Sequence, residues 1–229
     1  MEFHHDKCFV LRVTNKRKCI DADYSIHDQI LERVGHANFL GVTISKDLSW
    51  KKNVQRITTK ATNTRLFLQR NLTFSDSETR LMCYKTYVRP IVEYASSVWD
   101  PVGNNTLVEK IESIQRKSLR WIHNIWMSTV SPTALRKVLE ISTLESRRSS
   151  ARLKMMFDLL YKNKHINTNC LLSRQRWLNV KFKPIFSSIK AYENFFLPQV
   201  IKMWNNLTTK ISNETNEYLS LSKIRKLES

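Results

Sequence analysis

The sequence predicts an α+β fold that is mainly helical, with a small antiparallel sheet near its N-terminal end. The 229 residues include only three glycines, where average usage would give about 16, and a β-sandwich or barrel needs glycine in its tight turns. Short apolar segments with β-branched residues occur in the first fifty residues. After Ser49, apolar residues recur with a helical period.

The predicted strands lie at residues 7–13, 24–26, 29–31 and 39–44. The second and third of these segments are separated by a short turn. Strands this few and this short need a partner surface, so we expect the sheet to pack on the helices that follow.

A first long helix is predicted after Ser49, which can serve as its N-cap. At about 100° per residue, apolar side chains share one face, namely Val54, Ile57, Ala61, Leu68 and Leu72. The opposite face is mainly basic or polar and includes one aromatic ring, with Lys52, Arg56, Lys60, Asn63, Phe67 and Arg70. The apolar face should be buried, and the basic face should point outward.

A capping-box pattern at residues 75–78 predicts the start of a second helix. We expect it to reach residue 89, to be broken or kinked at Pro90, and to continue over residues 91–99. Trp99, at its end, is expected in the core.

The clearest helical pattern covers residues 107–126. One face is apolar apart from one serine, and consists of Leu107, Ile111, Ile114, Ser118, Trp121, Ile122 and Ile125. The opposite face is basic, with Arg116 and Arg120 flanked by Lys110 and Lys117. We therefore expect Trp121 to be a core residue.

Two more helices are predicted before a less regular tail. Ser131 followed by Pro132 is an N-cap with a proline in the first turn, and it opens a helix to about residue 140. A capping box at residues 142–145 opens another helix, to about residue 162. Residues 163–229 are rich in asparagine, serine and lysine, with aromatic islands.

Composition excludes several classes of protein. Too few glycines are present for a dinucleotide-binding fingerprint or a Walker A loop. The four cysteines lie too far apart for the ligand pairs of common zinc motifs. The chain lacks an N-terminal leader pattern and any apolar run of the roughly 18 residues that span a membrane. We expect an intracellular protein, in the nucleus or the cytoplasm.

No autonomous active site is visible in the sequence. Two-metal nucleotidyl transfer needs carboxylates that converge on cations. Asp21 and Asp23 could share one face of a strand, but they lie in a turn-like segment without a third carboxylate. We therefore predict no catalytic residue and no metal site in this chain.

The basic helix faces are the stronger signal. The formal net charge is +18, and cations without acidic partners favour phosphates, because binding releases counterions. The predicted nucleic-acid-binding residues are Lys52, Arg56, Lys60, Arg70, Arg116 and Arg120. Phe67 could stack on a base or sugar, although packing on a neighbouring helix is the commoner role of such a residue.

Several segments resemble reverse transcriptases of non-LTR (LINE-type) retrotransposons, the jockey and CR1-like group. The thumb-region signature is similar to RPIVEYASSVWDP at residues 89–101, and the next thumb helix to VEKIESIQRK at 108–117. Other similar segments, in the family's order and spacing, are DKC at 6–8 (last palm strands), FLGVTI at 39–44 with DLSW at 47–50 (primer grip and start of the thumb), and FLP at 196–198 with WNNL at 204–207 (terminal motif).

The resemblance implies residual palm strands with a primer-grip-like motif at residues 1–50, thumb helices at 51–128, a C-terminal helical segment at 129–165 and a tail at 166–229. Phe39, Leu40 and Gly41 match the primer grip. RNA and RNA–DNA duplex are the implied partners.

The family's fingers and its palm aspartate motif have no counterpart here. The resemblance therefore implies a polymerase fragment that is not an enzyme on its own and needs no cofactor. Mg²⁺ would belong to the catalytic part, and the fingers–palm part of the same polymerase is a further implied partner.

Two alternatives remain open from the sequence. The helices could form a domesticated protein-interaction module in which the charge is incidental. The chain could also be a non-functional relic of a mobile element.

Overall fold

The computed structural model describes residues 4, 7–14, 22–125, 130–163, 172, 174–175, 178–187 and 190–212. The fold is α+β and mainly helical, which confirms the predicted class. The strands are β1 Phe9–Leu11, β2 Ser25–Ile26, β3 Gln29–Ile30, β4 Glu32–Val34, β5 His36–Phe39, β6 Val42–Ser45, β7 Arg174–Gln175 and β8 Leu178–Phe182. The α-helices are α1 Lys51–Asn71, α2 Ser77–Cys83, α3 Arg89–Glu93, α4 Ser96–Trp99, α5 Asn105–Ile122, α6 Pro132–Val138, α7 Leu144–Phe157, α8 Lys190–Glu193 and α9 Phe196–Ser212.

The strands form two-stranded pairs in the described segments. β2–β3, β5–β6 and β7–β8 are antiparallel, but β1 pairs with β4 in parallel, with Phe9 opposite Glu32. The expectation that the N-terminal sheet is antiparallel throughout is therefore wrong at this pair. A parallel pair needs a crossover connection of a dozen or more residues, and the segment that contains β2 and β3 provides it.

The predicted strand at residues 39–44 instead spans the last residue of β5, a two-residue turn and most of β6. Phe39 pairs with Val42 across a two-residue turn. Leu40 and Gly41 both have positive φ, 45° and 79°, which is the requirement of the type I′ turn that suits tight hairpins. Gly41 is the residue in the sequence that indicates this turn, since glycine adopts positive φ without steric cost.

Helix α1 packs its predicted apolar face inward. Val54, Ile57 and Ala61 are buried, and Leu68 is partly buried. Trp50, rather than Ser49, occupies the N-cap position, and it makes no side-chain capping bond. The start of the helix therefore depends on packing rather than on a cap.

The second predicted helix is interrupted later than expected. Asp76 is its N-cap and accepts from the Thr79 N–H. α2 continues through a π-helical turn, Tyr84–Val88, directly into α3, so Pro90 does not break it. The break comes at Ala95, whose φ is 51°. A proline lacks a donor and crowds the preceding turn, and the wider π turn lies where that crowding would occur.

α5 matches the prediction closely. Asn104 caps it by accepting from the Leu107 N–H. The apolar residues of its predicted face from Leu107 to Ile122 are buried, and the helix packs against α1, α2, α6 and α7. The helix ends earlier than predicted, at Ile122 rather than near residue 126, and His123 is its C-cap.

α6 and α7 are capped by serine and threonine side chains. Ser131 accepts from Thr133, as predicted, while Thr143 rather than Ser142 caps α7. A second π-helical turn, Asp158–Lys162, continues α7 to the predicted end at residue 162.

Two apolar clusters form the interior. The larger runs from Val42 to Leu144 and contains Trp99 and Trp121, which are 1% and 2% exposed. Both tryptophans are core residues, as predicted. The second cluster joins α7, β8 and α9 and includes Trp204.

Asn205 ties β8 to α9 within the second cluster. Its side-chain amide accepts from the Phe182 N–H at 3.0 Å and donates to the Phe182 carbonyl at 2.8 Å. The described part of the predicted irregular tail therefore contains a hairpin and a long helix, while residues 213–229 lie outside the described residues.

Candidate nucleic-acid interface

The outward face of α1 carries the basic stripe that the sequence predicts. All six of its residues are exposed, namely Lys52, Arg56, Lys60, Asn63, Phe67 and Arg70. At helical spacing they fall within a sector of about 80°. Burial of the opposite face fixes the direction in which this stripe points. We call these six residues the α1 stripe.

Two cations of the α1 stripe have no carboxylate partner within the described part of the chain. Lys60, near the middle of the helix, and Arg70, in its last turn, are both exposed, and no ion pair of the described segments involves either of them. Their positive charge is therefore available to an external anion.

Arg56 makes contacts within the chain that the sequence did not predict. Its guanidinium donates to the main-chain carbonyl of Gly41, and its Nε donates to the Thr43 hydroxyl at 3.1 Å. It also reaches Asn53 Oδ1 at 3.1 Å. Arg56 therefore ties the β5–β6 turn to α1, and most of its donors are already used.

Asn53 completes this attachment from the buried side of α1. Its Oδ1 accepts from the Thr43 N–H at 3.1 Å. Lys52, the remaining basic residue of the N-terminal half, lies 2.8 Å from His36 Nδ1 at the start of β5. The first half of the α1 stripe thus holds the hairpin, whereas the cations of the second half have no carboxylate partner in the segments that the structure describes.

Tyr94 supports the same turn from another direction. Its hydroxyl donates to the Leu40 carbonyl at 3.0 Å. The Tyr94 carbonyl in turn accepts from the indole N–H of Trp99 at 2.7 Å, which fixes the chain where α3 ends. The segment that resembles the thumb signature therefore contacts the segment that resembles the primer grip.

The primer-grip-like residues are the tip of the hairpin. The side chains of Phe39 and Leu40 are 64% and 77% exposed, and Gly41 is the turn residue between Arg56 and Tyr94. The tip is thus an exposed apolar pair on a turn held by side chains from α1 and from the segment after α3.

The predicted basic stripe of α5 is less accessible to an external anion than the α1 stripe. Arg116 forms a two-pronged ion pair with Glu109, and this pair holds the pKa of the Glu109 carboxyl below its usual value. Arg120 is only partly exposed. The expectation of cations without acidic partners is therefore wrong for Arg116, since Glu109, an acidic residue earlier on the same helix, reaches it.

Several arginines that the sequence left unassigned are buried. Arg148 is fully buried, with its Nε 2.9 Å from Asp100 and an Nη 3.6 Å from Glu112. Arg152 lies 3.0 Å from the second oxygen of Asp100. Burial raises the pKa of Glu112 and lowers that of Arg152. These charges pair with one another in the interior and do not contribute to a binding surface.

Arg80 donates hydrogen bonds at the C-terminal ends of two helices. It is buried and donates to the carbonyls of Leu72 and Thr73, just beyond α1, and of Trp121 in the last turn of α5. A cation satisfies carbonyls that a helix C-terminus leaves without partners. Part of the net positive charge is therefore structural.

No group of three or more histidine, cysteine, aspartate or glutamate side chains within the described residues could hold a metal ion. Asp23 pairs with Arg33 at 2.7 Å, and Asp21 lies outside the described residues. The described residues thus do not fit the Mg²⁺ site of a polymerase.

Among the helices of the described segments, none combines the length and the hydropathy that crossing a bilayer requires.

No family model matches the chain, and searches of curated proteins and of solved structures found no match.

Proposed function

We propose that the chain binds RNA and RNA–DNA duplex through the α1 stripe, as the thumb-like part of a non-LTR retrotransposon reverse transcriptase. The single observation that carries the binding proposal is the pair of exposed cations Lys60 and Arg70, which have no carboxylate partner among the described residues and lie on a helix whose opposite face is buried. The assignment to that polymerase family rests on the motif resemblance.

Phosphate recognition follows from the chemistry of this face. Each cation that neutralises a phosphate releases condensed counterions, so affinity should fall steeply as salt increases. Contacts to phosphate carry no sequence information. Binding is therefore proposed to be insensitive to sequence.

The hairpin tip is the second proposed contact. Phe39 and Leu40 are exposed beside α1, and Arg56 and Tyr94 hold the turn beneath them. An apolar tip on a fixed turn suits the end of a nucleic-acid strand, where a base or sugar is uncovered. This is the role that the primer-grip resemblance implies for these residues.

The chain is proposed to lack polymerase activity by itself and to act with a fingers–palm part that supplies the catalytic aspartates and Mg²⁺. The support is the sequence, which has no counterpart of the family's palm aspartate motif.

A protein-interaction module is the second candidate, and exposed apolar side chains favour it. Met82 on α2 and Tyr87 on the π turn after it are 61% and 57% exposed, and Phe74 is fully exposed. Association with a protein through these side chains would persist at high salt, because apolar contacts are not screened. Nucleic-acid binding through the α1 stripe would weaken as the salt concentration rises.

The experiment compares three proteins on RNA–DNA duplexes of two unrelated sequences. The Lys60→Gln, Arg70→Gln double variant should bind both duplexes about 10- to 100-fold more weakly than the parent near 0.1 M salt. A matched control, Lys137→Gln with Lys202→Gln, removes the same charge from exposed sites on α6 and α9. It should stay within a few-fold of the parent. Equal losses in the two variants would mean that net charge, rather than this face, drives binding.

A further inference from the structure

Phe67 is the aromatic member of the α1 stripe, and its side chain is exposed to solvent. It is 57% exposed, whereas packing on a neighbouring helix is the ordinary role of such a residue. It makes no ring–ring or cation–ring contact within the described part of the chain. It is also not among the side chains packed against either apolar cluster.

Exposure alone is common for single apolar residues, so the position of Phe67 is what matters. Along α1, Phe67 lies about 10 Å beyond Lys60 and about 4.5 Å before Arg70, at about 1.5 Å per residue. The three side chains point within the same sector. Along the helix, the ring therefore lies between two cations that have no acidic partner in the described segments.

The backbone beneath these side chains is held in place. The Asn71 side-chain amide donates to the Phe67 carbonyl at 2.8 Å, and the Thr64 hydroxyl donates to the Lys60 carbonyl at 3.0 Å. Asn63, between Lys60 and Phe67, adds an exposed amide with both donors and an acceptor. Cationic, amide and aromatic side chains therefore follow one another along one exposed face of α1.

We propose that Phe67 is a stacking platform for an unpaired base, so that the second half of the α1 stripe binds a single-stranded segment of RNA or DNA. Bases inside a duplex stack on each other, so an exposed ring can take only a base from a single strand or an unpaired end. Stacking is tolerant of sequence because every base has a π face. This inference rests on the proposed function, since Lys60 and Arg70 hold the phosphates on either side.

The test measures affinity for a single-stranded RNA and for a blunt duplex of the same sequence at one salt concentration. Phe67→Ala should bind the single strand about 5- to 100-fold more weakly and the blunt duplex within about twofold of the parent. Phe67→Tyr keeps a π face and should retain single-strand binding. Phe67→Leu keeps apolar bulk without a π face and should bind as weakly as Phe67→Ala.

Phe186→Ala is the matched control, because Phe186 is 90% exposed outside α1, and its affinity should equal that of the parent. Thermal unfolding of each variant checks that the fold is unchanged. The inference is overturned if Phe67→Ala or Phe67→Leu binds the single strand as the parent does, or if Phe67→Ala loses affinity equally for both probes.

Failure of the proposed function gives a different result. In that case the parent would bind neither probe, or the Lys60→Gln, Arg70→Gln variant would match the parent on both. A parent that binds both probes and responds to the charge variant, but not to Phe67→Ala, would overturn the stacking role alone.

Discussion

The hydroxyl of Tyr94 donates a hydrogen bond to the main-chain carbonyl of Leu40, 54 residues earlier in the chain, over 3.0 Å. The same ring lies against Gly41, where a built Cβ would come within 3.1 Å of Tyr94 Cε1. Arg56 binds the Gly41 carbonyl as well. One turn is therefore held by a helix and by the segment after another helix, and its two exposed apolar residues have a fixed direction.

Gly41→Ala tests this attachment. The substitution should lower the free energy of unfolding by about 1–3 kcal/mol, because residue 41 has a φ of +79° and its new methyl group would press on Tyr94. Gly35→Ala is the control, since a Cβ there meets nothing within 4 Å. Urea denaturation of both variants gives the difference. If Gly41→Ala is no less stable than Gly35→Ala, the turn is not held as described.

The turn also shows what sequence patterns could and could not predict. The helical faces of α1 and α5 followed from periodicity, because each helix buries one face whatever its partner. The hydrogen bonds of Arg56 and Tyr94 to the turn could not be predicted, since their acceptors there are main-chain carbonyls of Gly41 and Leu40. The prediction of a single strand over residues 39–44 missed that turn, although Gly41 is a residue typical of turns.

The buried charges were missed for a similar reason. Arg148 and Asp100 lie 48 residues apart, and no local pattern distinguishes a buried arginine from one on a solvated face. Glu109, by contrast, is seven residues before Arg116 on the same helix. Two helical turns bring these residues to the same side of α5, so helical spacing could have predicted the pair. Its separation nevertheless exceeds the three or four residues of the usual helical ion pair.

Asp100→Ala should lower the free energy of unfolding by about 3–5 kcal/mol. The aspartate is buried between Arg148 and Arg152, and its removal leaves Arg148 with only the more distant Glu112 and Arg152 with no carboxylate within salt-bridge distance in the described segments. Glu109→Ala breaks an exposed arginine pair and is the matched control. Its unfolding midpoint should stay close to that of the parent, because exposed pairs contribute little. Similar midpoints for the two variants would contradict the buried network.

Trp121→Ala should cost about 3–5 kcal/mol of stability, the usual effect of truncating a buried aromatic side chain. The indole is 2% exposed at the centre of the larger cluster. Phe74→Ala, at a fully exposed ring, should change stability by less than about 0.5 kcal/mol. Calorimetry or denaturant unfolding measures both. A Trp121→Ala protein as stable as the parent, but weaker in RNA binding, would reassign this tryptophan to the binding surface.

The chain should not extend a primer. A primed RNA template, deoxynucleotides and Mg²⁺ or Mn²⁺ are supplied, and extension is compared with a mock preparation. We expect no extension because nucleotidyl transfer needs carboxylates that hold divalent metals against the nucleotide. Extension above the mock preparation would show that the polymerase part of the proposal is wrong.

The salt dependence of nucleic-acid binding tests the central claim most directly. The logarithm of the association constant for an RNA–DNA duplex is measured against the logarithm of salt concentration, for the parent and for Lys60→Gln with Arg70→Gln. If both cations contact phosphates, the variant's slope should be shallower by about 1.4–1.8, at 0.7–0.9 for each phosphate lost. Equal slopes for the two proteins would contradict the account, because they would show that the α1 stripe does not touch the backbone.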